Sequence, residues 1–192
     1  MKSCRLIILP GFYIFLAFGI LLIPLRWFIA WLVAAFVHEL FHILALQVFG
    51  GHVKEIKIGM AGAIINADSL SCLRTSLCAL AGPLGGFLLL ACLRTAPRLA
   101  LCGVIQSLYN LLPVYPLDGE KTLRGVVERF STEKVAKKVI TVTENVVLFL
   151  LVSSSLYGAF ALQLGLYPLV AVMMLMIKNK KIPCKPCRSR VQ

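Results

Sequence analysis

"AFVHELFHILAL", residues 35–46, sets two histidines and a glutamate in a run whose other nine residues are apolar. An acidic side chain in hydrocarbon costs about 2.5–3.5 kcal/mol even on lenient insertion scales, so a function or a very good local pairing must offset it. The stretch lies inside "WFIAWLVAAFVHELFHILALQVF", 27–49, long enough for one helical crossing of a bilayer. Reading this segment as a membrane helix decides the fold, and the rest of the chain agrees.

Of 192 residues, 59% are hydrophobic and 15% charged, with a mean hydropathy of +0.89, which places the chain among integral membrane proteins. Apolar segments at 6–24, 27–49, 72–93, 99–115, 139–162 and 164–177 predict an all-α polytopic bundle of about six transmembrane helices. The whole chain, 1–192, reads as a single domain with a core at 6–130, two additional spans within 139–177 and a basic tail at 178–192. The first segment follows Lys2 and Arg5 like a secretory leader, but no small-residue cleavage site follows it, so a retained helix is expected. Residues 50–71 break the apolar pattern. There Val53, Ile56 and Ile58 flank charges, and Gly59 and Gly62 bracket a turn before "AIIN", predicting a short membrane-associated β-hairpin over 52–66. The polar, basic stretch 119–138 predicts an amphipathic surface helix.

A net charge of +12 invites a nucleic-acid reading, but the basic residues cluster between apolar segments and no nucleic-acid module is present. Six crossings put both termini on one side, and 17 of the 20 Lys and Arg fall on that side, against Arg26, Arg94 and Arg98 on the other. Both termini are therefore expected in the cytoplasm. The basic segments 121–138 and 178–190 are suited to anionic headgroups or to docking a cytoplasmic substrate. Seven cysteines, at 4, 72, 78, 92, 102, 184 and 187, are an odd number, and the middle four sit in or beside apolar segments; a disulfide framework is not indicated. The pair Cys184 and Cys187 lacks the two further ligands of a structural zinc and reads as part of a solvated tail.

On a helix, residues four apart share a face, so His38 and His42 can chelate one ion, and the spacing fits zinc. Glu39 lies on the adjoining face, where it can act as general base without being a ligand, the arrangement of HExxH metalloproteases. The competing reading is a polar cluster bridging helices. His52, past the span and beside two glycines, reads as a surface residue. A catalytic zinc takes three protein ligands and keeps one position open. The remaining acids near membrane depth are Glu144, near the start of the fifth segment, and Asp118, at the end of the fourth. With the termini inside, the second and fourth segments both run toward the cytoplasm, leaving His42 about 10 Å from the inner end of its span. Pro113 and Pro116 break the fourth helix and allow the extended chain to present Asp118 inside the protein.

"HELFH" on an early span, together with "NLLPVYPLDGEK" at 110–121, resembles the site-2 protease family of intramembrane zinc metalloproteases. Without an inserted extracytoplasmic domain the chain is most similar to the small sporulation-type branch, that of the stage IV sporulation protein FB, whose best-known member processes a sigma-factor precursor. The resemblance spans roughly residues 6–130. It implies one Zn2+ held by His38, His42 and Asp118, with Glu39 as catalytic base and Asn110 near the substrate. It also implies a bacterial cytoplasmic-membrane location, a membrane-embedded or membrane-associated protein substrate, and room for a membrane-bound regulator or an oligomer. Gln106, Asn110 and Pro113 fall on one helical stripe, so an interior polar face or a packing role for Asn110 is compatible with the residues themselves. Gly82, Pro83, Gly85 and Gly86 match a Gly-Pro feature of the family's third span, with close helix packing as the simpler reading. Two positions depart from the pattern: Glu120, where glycine is common, and Gly86, where asparagine is common.

The expected reaction is hydrolysis of a peptide bond near the cytoplasmic face. Because a helix presents no free carbonyl, the substrate must first unwind, and the hairpin could hold it as an added strand. Two other readings are a catalytically inactive relative that binds or scaffolds membrane partners, and a zinc enzyme acting on a lipid or a prenylated protein.

Overall fold

The computed structural model describes residues 5–59, 62–67 and 70–160. These form six helices and one three-stranded sheet: α1 (Pro10–Leu22), α2 (Leu25–Val48), α3 (Cys72–Leu88), α4 (Pro97–Asn110), α5 (Asp118–Phe130), α6 (Glu133–Phe160), with strands β1 (Arg5–Ile8), β2 (Val53–Gly59) and β3 (Gly62–Ala67). A 3₁₀ segment, Leu89–Cys92, extends α3. The sixth predicted span at 164–177, the basic tail and the Cys184/Cys187 pair lie outside the described residues.

Among the described residues three helices are long and apolar enough to cross a membrane: α2, α3 with its 3₁₀ extension, and α6 over Glu133–Gly158. The shorter apolar helix α1 has 13 residues and is about 20 Å long, less than the hydrocarbon thickness. Outward-facing apolar side chains such as Leu21, Val48 and Phe149, each more than two-thirds exposed, cover these helices. So much exposed apolar surface is what a lipid-facing bundle presents.

The first predicted span is corrected at its start. Residues 5–8 are not helical but pair in parallel with β2, from Arg5 opposite Glu55 to Ile8 opposite Ile58. Pro10 explains the boundary. Proline suits the first helical position and disfavours helix in the residue before it, and Leu9 accordingly has extended angles (φ −82°, ψ 147°) and donates its N–H to Ile58. The hairpin formed as expected, with Gly59 opposite Gly62, and β1 makes it a three-stranded sheet in the order β1-β2-β3. Gly62 has φ +107°, which a residue with a Cβ rarely adopts. Across the hairpin Asn66 donates to Glu55 at 2.9 Å, and this bond, helped by the Lys57 ammonium, holds the Glu55 carboxyl below its ordinary range.

Two further boundaries moved. The fourth apolar segment yields only the 14 residues of α4, because Pro113 lacks the N–H that a continuing helix would use. The surface helix expected over 119–138 is divided at Ser131: α5 ends at Phe130, and residues 133–138 are the first turns of α6.

Small residues bring the helices together around α3, which packs against α2, α4 and α5. A Cβ on Gly86 would stand 2.8 Å from the carbonyl oxygen of Gly103, and one on Gly103 2.6 Å from that of Gly86, so α3 and α4 cross backbone against backbone. Ser107, fully buried, donates to the Pro83 carbonyl at 2.8 Å across the same crossing. Gln106 joins α4 to α2 by donating to the Trp31 carbonyl at 2.9 Å. On α5, Gly125 lets Ser76 reach the Thr122 carbonyl at 3.0 Å. The α2 helix ends in paired bonds, Gly50 N–H to Gln47 and Gly51 N–H to Leu46, with Gly50 at φ +75°: the "GG" after the span is its stop signal.

Candidate metal centre

Helix α2 places the His38 and His42 rings one above the other, with centroids 4.8 Å apart and planes at 85°. Both Nε2 atoms point at the carboxylate of Asp118, the first residue of α5. Asp118 Oδ2 is 3.1 Å from His38 Nε2 and 3.0 Å from His42 Nε2, and the two nitrogens are 3.2 Å apart. His38 and Asp118 are buried, and His42 is nearly so. Of the two acids left open by the sequence, Asp118 is the one that joins the imidazoles. Among the described residues these three side chains form the one group able to hold a metal ion.

The donor chemistry fits a metal. His42 Nδ1 lies 2.7 Å from the carbonyl oxygen of Cys78, which can only accept, so Nδ1 carries the proton and Nε2 turns a lone pair toward Asp118. In the neutral ring that lone pair, 3.0 Å from a carboxylate oxygen, is repelled unless a cation or a proton lies between them. Tetrahedral zinc with bonds of about 2.0–2.1 Å to nitrogen and oxygen would set its ligand atoms about 3.3 Å apart. The observed triangle is within a few tenths of that. Three such donors would leave a fourth position free, the pattern of catalytic rather than structural sites. His38 Nδ1 is buried without a hydrogen-bond partner among the described residues.

Neighbouring groups shape the centre. Lys121, one turn along α5, donates to Asp118 Oδ1 at 2.9 Å and leaves Oδ2 to face the rings. Gly82 on α3 adjoins the Nε2 side of the rings: a Cβ there would lie 2.2 Å from His42 Nε2 and 2.8 Å from His38 Nε2. Gly119 lets the first turn of α5 close onto the end of α4, since a Cβ would lie 2.1 Å from the Leu111 carbonyl oxygen. Glu39 lies within electrostatic reach of His42, His38, Asp118 and Lys121. Its Oε1 would be 3.9 Å from a Cβ on Gly62, so the carboxylate lies between the ligands and the end of the hairpin.

The remaining predicted residues lie elsewhere. Asn110 closes α4, half-buried, and its amide donates to the Gln106 carbonyl at 3.0 Å; it is not part of the ligand group. Glu144 accepts the Tyr115 backbone N–H at 3.0 Å instead of binding with the histidines. Glu120 is wholly buried and paired with Arg124 at 2.6 Å, so the departure from glycine is accommodated by an ion pair within α5. His52 is exposed. The sequence reading missed Lys121, although its three-residue spacing from Asp118 in the first turn of a helix was a usable signal. It also gave close helix packing as the simpler reading of Gly82. Gly85 does play that part, since a Cβ there would meet the Phe41 ring at 2.4 Å, but Gly82 adjoins the imidazoles.

No protein-family model matches the chain, and no curated protein matches it. The structure is similar to that of the site-2 protease from Methanocaldococcus jannaschii, with a TM-score of 0.64 over 98% of this chain and 97% of that one. Sequence identity is 18%, so the likeness establishes the fold. The likeness runs over far more of the chain than residues 6–130, the extent of the sequence resemblance.

Proposed function

We propose that the chain is an intramembrane zinc metalloendopeptidase that cleaves a membrane-embedded or membrane-associated protein near the cytoplasmic face. The observation that carries the reading is the convergence of His38 Nε2, His42 Nε2 and Asp118 Oδ2 within 3.2 Å of one another, beside the carboxylate of Glu39. The fold likeness to a protease adds support.

His38, His42 and Asp118 would hold the ion; when bound, zinc supplies Lewis acidity and lowers the pKa of water toward 7. The Cys78 carbonyl fixes the His42 tautomer, and Lys121 fixes which Asp118 oxygen faces inward. Glu39 Oε1 takes a proton from water and passes it to the leaving amine. The unwound substrate segment adds to the sheet as a further strand. Because β2 is central, β1 and β3 provide the available edges, and β3 begins beside Glu39.

The chain resides in a bacterial cytoplasmic membrane with six spans and both termini cytoplasmic, the side favoured by the distribution of Lys and Arg. Its role is regulated proteolysis in sporulation or sigma-factor signalling, under a membrane-bound regulator and without nucleic acid. Asn110, close to the break in the fourth segment, contacts the substrate.

Glu39→Gln tests the assignment. The variant is expected to retain zinc, measured by elemental analysis, while cleavage of a membrane-embedded reporter falls by about 10²–10⁴-fold. Undiminished cleavage would remove Glu39 from its role; zinc-loaded wild-type protein that alters a lipid and cuts no protein would replace the protease reading.

A further inference from the structure

Glu144 is the sole acid in the apolar part of α6, eleven residues beyond Glu133. An ionisable group at that depth demands a partner, and its partner is the backbone of the segment that delivers Asp118. Residues 111–117 are neither helix nor strand, so each N–H needs a separate acceptor. Pro113 and Pro116 have none to offer. Leu111 donates to Ser107, Leu112 to Tyr109, Val114 to Leu112 and Leu117 to Val114, all within the chain from α4 onward. Tyr115 alone donates out of the segment, to Glu144 Oε1 at 3.0 Å.

The contact continues along one face of α6. Val147, Leu148 and Leu151, spaced three, four and seven residues from Glu144, pack on Val114 and Leu117, which are almost fully buried. Leu117 immediately precedes Asp118. The apolar stripe supplies adhesion without direction, while the Glu144 bond fixes the register of the segment.

We propose that Glu144 is a positioning residue for the metal centre, holding the segment that carries Asp118 by accepting the Tyr115 N–H. This rests on the reading of His38, His42 and Asp118 as ligands. Glu144 needs to be an acceptor of the right length; its charge is secondary.

The test is zinc affinity of the full chain in detergent micelles, by competition with a chromophoric chelator, together with the visible spectrum of the cobalt(II) form. Glu144→Gln keeps the acceptor and its reach, and is expected to bind within about twofold of wild type. Glu144→Asp keeps the charge but withdraws the acceptor, and should bind about tenfold more weakly; Glu144→Leu should lie toward the 100-fold end found for outer-shell changes at zinc sites. In the Leu variant the cobalt spectrum should lose the bands of the three-ligand centre. Wild-type affinity in Glu144→Leu, or a normal Asp variant beside an impaired Gln variant, overturns the proposal. If the Leu variant does not fold, the order of Gln and Asp decides. Wild-type protein that binds neither zinc nor cobalt would instead overturn the metal reading, and this inference with it.

Discussion

The two halves of the centre are built in opposite ways. His38 and His42 sit four residues apart on one unbroken helix, and their alignment follows from helical period alone. Asp118 comes from 76 and 80 residues away in sequence, at the end of a segment with no regular structure. The local half survives anything that leaves α2 helical; the distant half depends on a glycine contact, a backbone bond to α6 and a lysine. Substitutions remote from the chemistry should therefore act on Asp118 and spare the imidazoles, and the exceptions should be those that touch the rings.

The largest effect expected is at such an exception. Glycine to alanine inside a helix is ordinarily stabilising by roughly 0.5–1 kcal/mol. At Gly82 the added methyl would lie 2.2 Å from His42 Nε2, so both rings must move. Gly82→Ala is expected to fold and to bind zinc more than about 100-fold more weakly, beyond the range found for outer-shell changes at zinc sites. Wild-type zinc affinity in this variant would mean that α3 does not adjoin the site, and the contrast between the halves would lose its fixed reference.

A smaller effect is expected where only the distant half is disturbed. Gly119→Ala puts a methyl 2.1 Å from the Leu111 carbonyl oxygen, backbone against backbone, and the first turn of α5 must move away from α4. Zinc affinity should fall by about 100-fold, as when a ligand's support is removed. The His38–His42 pair should still bind cobalt(II) weakly, with a two-nitrogen spectrum. An affinity loss as complete as in Gly82→Ala would show that the halves are not independent.

This asymmetry also explains what could be read from sequence. The HExxH spacing, the hairpin turn between Gly59 and Gly62 and the span-length run of α2 are all local patterns, and each appears where the pattern put it. Asp118 was one of two candidates until the family resemblance was applied, because neither period nor composition says which acid folds back onto a helix some 76 residues away. Glu144 looked like a ligand for the same reason: an acid among apolar residues announces a partner without naming it. The start of the first span was misjudged because "LII" suits strand and membrane helix alike, and only pairing with β2 distinguishes them. Gly82 was misjudged because a glycine needed for close packing and one needed to clear an imidazole are identical in sequence.

The smallest effect expected is at Lys121, whose ammonium meets Asp118 Oδ1 at 2.9 Å while its side chain is 48% exposed. The contact bears on the distant half only, and water screens it. Lys121→Gln should therefore weaken zinc binding by no more than about tenfold, the low end for outer-shell partners. Glutamine can still donate to Oδ1, so what the substitution removes is chiefly charge. Screening supplies the check: at about 1 M salt the Debye length falls to about 3 Å, and much of the difference between wild type and variant should disappear. A loss that is large and insensitive to salt would mean that Lys121 orients Asp118 by geometry, as Gly119 does, and that the distant half has a second rigid support where the structure shows a soft one.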